Sequence, residues 1–201
     1  MKVEFTHDIA CIWSALGYAR FRRAAEEYRA GGGELEVAFR PYPTAGTAAG
    51  GLLRPDPAVR PEQVARAAAA DGLVVNLDRV VPARTARAHR LIALAAAHGA
   101  AEDMAARLYR AHFGDGLDIG DTAVLQSLAS AAGVRWDGGE QAPAEPDRSG
   151  PRVPVFRFPD GTVLVGAVSL ATLRSELARA DPHRRRRSRS PHRAPTAEPV
   201  L

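Results

Sequence analysis

The chain has 201 residues, 46% of them hydrophobic and 25% charged, which suffices for one domain with a sizeable core. Its formal net charge is +4, and all of it lies in the last 21 residues, where six arginines face Asp181 and Glu198; the other 180 residues hold 21 basic and 21 acidic groups. The balanced body gives no electrostatic case for nucleic acid outside that tail. The single cysteine excludes a disulfide within the chain, and no apolar run reaches the ~20 residues of a membrane span.

Residues 3–7 (VEFTH) alternate Val3 and Phe5 with polar neighbours, which predicts a first strand. Lys2 leads straight into it, so no signal peptide is expected and a cytoplasmic protein is. A helix is predicted from Ile12 to about Ala30, with Trp13, Gly17, Phe21, Ala24 and Tyr28 spaced as one packing face. AGGGE (30–34) ends it, and LEVAF (35–39) reads as a second strand stopped by Pro41 and Pro43. A loop rich in Gly, Ala and Pro follows at 43–60.

Four helices are predicted next. The first spans 61–73, with Pro61 at a favoured first-turn position. The second spans 83–98, with Ala88, Leu91, Ile92 and Ala95 as its stripe. The third spans 101–113, with Met104, Leu108 and Ala111 inward. The fourth spans 122–132, with Asp121 as N-cap and Val124, Leu125, Leu128 and Ala132 inward. Residues 137–152 are polar and rich in Gly and Pro, hence a loop. VPVFRF (153–158), the turn PDG and TVLVG (162–166) read as a hairpin, and Ser169 caps a last helix to about Ala180. The tail, 181–201, has no apolar pattern and is predicted to be disordered and solvated.

The chemistry concentrates at Cys11, at the mouth of the first helix. Unpaired backbone N–H groups and the positive end of the helix dipole lower a thiol's pKa there. Ser14 lies at i+3 on the same face, where its hydroxyl can reach the sulfur. Val153–Pro154 opens the second half of the sheet. A proline at a strand start lacks an N–H, is a candidate for a cis bond, and leaves neighbouring backbone groups free for an extended ligand. Trp13 reads as a packing residue beside this site. His89, His98 and His112 read as structural or solvated, and no histidine has metal-ligand spacing with another His or Cys, so no metal is expected. DGLDIGD (115–121) reads as a capping loop, since it lacks the spacing of a calcium loop.

The order β-α-β, then β-β-α, with a cysteine starting the first helix and a proline starting the third strand, resembles the thioredoxin fold. The helical segment between the halves narrows the resemblance to the DsbA-like branch, which includes 2-hydroxychromene-2-carboxylate isomerases and relatives associated with polyketide biosynthesis. Asp8, Cys11, Trp13 and Gly17 match the pattern Asp-x-x-Cys-x-Trp-x-x-x-Gly. RTARAHRLIALAAAHG (84–99) and LYRAHFGDGLDIGDTAVLQSLASAAGV (108–134) resemble the family's helices, and VPVF with Gly166-Ala167 resembles its closing hairpin. The resemblance spans about residues 2–180. It implies an α/β, thioredoxin-like fold with an all-helical insertion. The divisions are then 1–55 for the first half of the domain, 56–136 for the insertion, 137–152 for a Pro/Gly-rich loop, 153–180 for the second half and 181–201 for the tail.

Departures from the family shape the expected function. Redox members carry Cys-Pro-Trp-Cys, and this chain has Cys-Ile-Trp-Ser. Isomerase members carry Ser at the first position and use glutathione, and this chain keeps Cys11. Arg84 stands where the family has Asn, and Arg152 where it has Gly. A thiol–disulfide oxidoreductase working with one thiol is therefore expected. Cys11 is its nucleophile and Ser14 supports the thiolate. Trp13, Val153 and Pro154 bind the thiol partner, and an outside thiol resolves the mixed disulfide. No covalently bound cofactor is expected; glutathione or another low-molecular-weight thiol is the implied co-reactant. Two alternatives stand beside it. One is a small-thiol-dependent isomerase whose helical block holds an aromatic or polyketide-like molecule. The other is a binding module that has lost catalysis. A homodimer stays open.

Overall fold

A computed structural model describes residues 1–42, 61–139 and 153–181. The loop expected at 43–60, most of that at 137–152, and the tail from residue 182 lie outside the described residues. Strand β1 (Lys2–His7) buries Val3, Phe5 and His7 and leaves Lys2, Glu4 and Thr6 more exposed, the period of two of a half-buried strand. With β2 (Glu36–Pro41), β3 (Val155–Arg157) and β4 (Val163–Val165) it forms one sheet in the order β2-β1-β3-β4. β1 runs parallel to β2, in register from Lys2 opposite Glu36 to His7 opposite Pro41. It runs antiparallel to β3, with Phe5 opposite Phe156, and β4 folds back antiparallel on β3. Pro41 ends β2 from inside: β2 is an edge strand, where a missing N–H is tolerated.

Helix α1 (Ile12–Ala30) links β1 to β2. Its buried residues are Ile12, Ser14, Ala15, Leu16, Gly17, Tyr18, Phe21, Ala24 and Ala25; Trp13 and Tyr28, expected inward, are half-buried. The buried arc is broad because α1 is covered both by the sheet and by other helices. Phe5 of β1 stacks with Tyr18 at 5.5 Å, Phe21 at 6.5 Å and Phe156 at 4.8 Å between ring centroids. These rings supply apolar area and directed aromatic contact together. At its end the Gly31 N–H bonds the Glu27 carbonyl at 3.1 Å, and Gly32 takes a φ of 85° that glycine adopts freely.

Between β2 and β3 lie α2 (Pro61–Ala70), α3 (Ala86–Ala96), α4 (Ala101–Tyr109) and α5 (Thr122–Ala131). α3 packs on α4, α5 on both, and the closing helix α6 (Leu170–Ala180) on α1. The helix expected to run to residue 113 keeps α-helical bonding only to Tyr109 and widens into a π turn over Arg110–Gly114. The Asn76 N–H and side-chain amide take the carbonyls of Phe113 (2.7 Å) and Gly114 (2.5 Å), which fastens the turn to the preceding loop. Among the described residues no helix is long and apolar enough to cross a membrane.

Both predicted N-caps form. Ser169 Oγ accepts the Thr172 N–H at 3.1 Å, and Asp121 Oδ1 accepts the N–H groups of Ala123 (2.6 Å) and Val124 (3.1 Å). Asp121→Ala is expected to cost about 1 kcal/mol. The loss should read as a lower urea midpoint at unchanged slope.

Candidate active site

β1 delivers the chain to a tight turn built by Asp8. The Cys11 N–H bonds the Asp8 carbonyl at 3.1 Å, and the Ala10 N–H bonds Asp8 Oδ1 at 3.3 Å. Cys11 then caps α1 in an extended conformation, φ −93° and ψ 116°, and its carbonyl accepts the first helical N–H, from Ala15, at 3.0 Å. The sulfur thus meets the first turn of α1, where the Ser14 N–H, the Ser14 hydroxyl and the Trp13 N–H act on it.

The thiol pKa moves against the sequence expectation. Cys11 is 0% exposed, and burial pushes its thiol up; the Ser14 and Trp13 groups pull the other way, and the nearby Asp8 carboxylate pushes up again. An ion stripped of water on every side loses more than a few donors return. At rest the sulfur is a protonated thiol.

The peptide bond Val153–Pro154 is cis, and both residues are buried. Pro154 meets α1 at Gly17, six residues beyond Cys11: a Cβ on Gly17 would lie 2.8 Å from Pro154 Cγ. The Pro154 carbonyl accepts the Gly166 N–H at 2.7 Å, while the Val153 main chain finds no hydrogen-bond partner among the described residues. Ser14, Trp13 and Cys11 are therefore brought together on one turn of α1. Pro154 lies against the next stretch of the same helix, and Val153 is the buried residue before it.

The structure gathers four buried polar residues, His7, Asp8, His89 and Tyr109, that the sequence reading did not assemble. His7 ends β1 and its Nδ1 lies 2.6 Å from the Tyr109 hydroxyl of α4. His89 of α3 places Nε2 3.6 Å from Asp8 Oδ1, too long for a hydrogen bond. The two imidazoles meet edge to face, 5.0 Å apart at 76°. His89, expected at a solvated flank or in a structural role, and His112 of the π turn are both buried. Burial holds the His7 pKa well down; His89 adds to this and Asp8 opposes it. Burial likewise raises the Tyr109 phenol well above its usual range, helped by Cys11, Asp8 and Tyr18. His7 does carry a signal in the sequence, since it continues the Val3, Phe5 alternation. Tyr109 and His89 carry none beyond adjacency to the apolar stripes of their helices.

A cleft of about 970 Å³ runs between α1, α4 and the loop at 71–79, with Ala15, Tyr18, Ala106 and Tyr109 among its lining. Among the described residues no group of three or more His, Cys, Asp or Glu side chains is placed to hold a metal ion.

A family model for the DSBA-like thioredoxin domain matches residues 2–147. The chain belongs to the DsbA-like thioredoxin-domain family. Several solved DsbA-like structures share its fold. A probable DsbA oxidoreductase from Streptomyces coelicolor superposes with a TM-score of 0.69 at 23% identity, covering 100% of this chain and 94% of that one. The cytosolic disulfide reductase DsbM from Pseudomonas aeruginosa gives 0.61 at 21% identity, over 94% and 99% of the two chains. A 2-hydroxychromene-2-carboxylate isomerase gives 0.60 at 21% identity, over 94% and 100%. At these identities the likeness speaks for the fold. No curated protein matches the chain. Within the DsbA-like frame, the parallel β1–α1–β2 unit and the β3–β4–α6 unit share one sheet, and the helical block α2 to α5 stands between them.

Proposed function

We propose that this DsbA-like protein is an enzyme of thiol–disulfide exchange that works with one thiol. The observation that carries this reading is the Cys11 sulfur at the N-cap of α1, faced by the Ser14 N–H, the Ser14 hydroxyl and the Trp13 N–H, in a chain with no second cysteine. The Cys11 thiolate attacks one sulfur of a disulfide R–S–S–R. A new S–S bond joins Cys11 to the attacked sulfur, the S–S bond of the substrate breaks, and the other half leaves as RS⁻. An external thiolate then attacks the R sulfur of the mixed disulfide, forms a new R–S–S–R′ and returns the electrons of the broken bond to Cys11 as thiolate. Ser14 supports the sulfur without competing, because a hydroxyl does not attack a disulfide. Trp13 and the main chain of Val153, next to Pro154, receive the partner.

Glutathione is the small thiol we favour. The disulfide reductase from Pseudomonas aeruginosa is also described with GSH, and a cytosolic setting like the one in its description supplies such a thiol. A second reading keeps the small thiol but makes the reaction an isomerisation of an aromatic or polyketide-like molecule. The cleft beside Ala15, Tyr18 and Tyr109 favours it, and one neighbour is an isomerase. The full burial of Cys11 supports the third reading, a binding module without turnover.

Intact-mass analysis after incubation with glutathione disulfide tests the proposal. One glutathionyl adduct is expected, located on Cys11, reversed by added glutathione and absent in Cys11→Ser. Because the resting thiol is protonated, adduct formation should accelerate as pH rises through the thiol range. An unmodified Cys11 even at about pH 9 would leave the binding-module reading.

A further inference from the structure

We propose that the outer edge of β2, where it faces α3, is a docking groove for an extended polypeptide, which adds a fifth strand to the four-stranded sheet through main-chain hydrogen bonds. Docking there needs no thiol, so the groove stands or falls apart from the reading of Cys11.

Among the described residues only β1 pairs with β2. The Glu36 N–H donates to the Met1 carbonyl at 2.9 Å and the Tyr42 N–H to the His7 carbonyl at 2.8 Å, so the even-numbered residues of β2 turn their main chain to β1. The direction alternates along a strand, and the odd-numbered residues turn theirs outward. Neither Val37 nor Phe39 makes a main-chain hydrogen bond outside the sheet ladder among the described residues. The free stretch has defined ends. At one, Arg29 Nη2 donates to the Leu35 carbonyl at 2.8 Å. At the other, Pro41 has no N–H to offer. The N–H and C=O groups of Val37 and Phe39 remain, and one extended chain of about five residues satisfies them.

The edge opens into a cavity of about 360 Å³, with the whole of β2 on one side and His89, Ile92, Ala93 and Ala96 of α3 on the other. His89 and Ile92 are buried and floor it, while Ala93 and Ala96 are exposed and leave the room that longer side chains would fill. α3 stands on the buried face of the sheet, since the His89 ring meets that of His7. Side chains of a docked strand opposite Val37 and Phe39 therefore turn toward the two alanines and must be compact and apolar. On the other face Glu36 and Arg40 are exposed, and they favour a cation and an anion opposite them. The same helix decides against a second copy of the chain. Antiparallel pairing of two β2 edges sets both α3 helices on one face of the joined sheet, each in the way of the other's strand. A lone extended chain brings no such helix.

The probe is the peptide acetyl-Glu-Val-Thr-Val-Lys-amide, which in an antiparallel register sets its Glu beside Arg40 and its Lys beside Glu36. Isothermal titration calorimetry on the full chain should show it binding. Methylating the two Val nitrogens removes the donors to the Val37 and Phe39 carbonyls and should weaken binding about tenfold, while exchanging Glu and Lys should weaken it about threefold. Ala93→Trp, a change on the exposed side of α3, should abolish binding by filling the groove. In the unaltered protein, saturation with the peptide should slow amide hydrogen exchange at Val37 and Phe39. The absence of binding up to about 1 mM overturns the proposal. So does equal affinity for the methylated peptide, binding unmoved by Ala93→Trp, or unchanged exchange at Val37 and Phe39. A dimer in sedimentation that Ala93→Trp dissociates would assign the edge to a second copy and overturns it as well.

Discussion

Gly17→Leu is expected to lower the unfolding free energy by about 3 kcal/mol, the upper range for overpacking a tight core site, and to abolish glutathionyl adduct formation on Cys11. At Gly17 the bare backbone of α1 touches Pro154. Even a Cβ would sit 2.8 Å from Pro154 Cγ and 3.6 Å from the Phe156 ring. The obstacle is a proline ring wedged against the helix, and it cannot swing away like the end of a long side chain. Gly17→Ala separates two opposing effects. Helix propensity alone would favour alanine by about 1 kcal/mol. The clash costs about 1–3 kcal/mol, so a net loss is expected. For leucine the propensity gain is no larger and the clash is, so displacement of Val153–Pro154 from α1 is expected in addition. Urea unfolding read by circular dichroism measures the first effect and intact-mass analysis the second. A Gly17→Leu protein with an unchanged midpoint would show that the Pro154 contact carries little of the packing.

Acidification should destabilise the fold well before its carboxylates are protonated. His7 is fully buried and its pKa is held well down; His112 is lowered too, chiefly by burial. In the unfolded chain both return to about 6.5. Below that pH the unfolded state binds protons that the folded state refuses. The contribution of the neutral imidazoles is complete above about pH 6.5 and declines as pH falls toward their depressed folded values, with a slope approaching 1.4 kcal/mol per pH unit per imidazole. Glu4, Glu27 and Asp137 are held low by Arg40, Arg174 and Arg90, so their contribution is lost at lower pH, below the ordinary carboxylate range. Between about pH 7.5 and 5 the imidazoles therefore dominate. The urea midpoint should fall over that interval, and His7→Phe, whose ring can stack on Phe5 and meet Phe39 edge to face as the imidazole does, should flatten the fall. A midpoint that stays level from pH 7.5 to 5 in the unaltered protein would mean that His7 is not buried in its neutral form.

What could be read in the sequence was whatever depends on local periodicity and local stereochemistry. Val3 and Phe5 announce β1, the Asp121 and Ser169 caps announce α5 and α6, and Cys11 announces itself at the mouth of α1. Even Pro154 could be singled out, because a proline that opens a strand has few structural options. Element ends were less legible. The π turn after Tyr109 follows from Asn76 capturing two carbonyls, a contact made 38 residues away in the chain for Gly114.

The electrostatic character of the site was not legible at all. The sequence places a cysteine on a helix N-terminus and, by local reasoning, a lowered pKa with it. The tertiary structure closes water off from that sulfur and reverses the sign. It also gathers His7, Asp8, His89 and Tyr109 from β1, the turn behind it, α3 and α4 into one buried cluster, joined to Cys11 through the Asp8 turn. By itself the sequence determined that this protein has one thiol, where along the chain it lies, and that no internal disulfide can form. Only the tertiary structure decided whether that thiol is ionised and what stands behind it. Desolvation and hydrogen bonding depend on which atoms share a volume, and no spacing along a single chain segment contains that information.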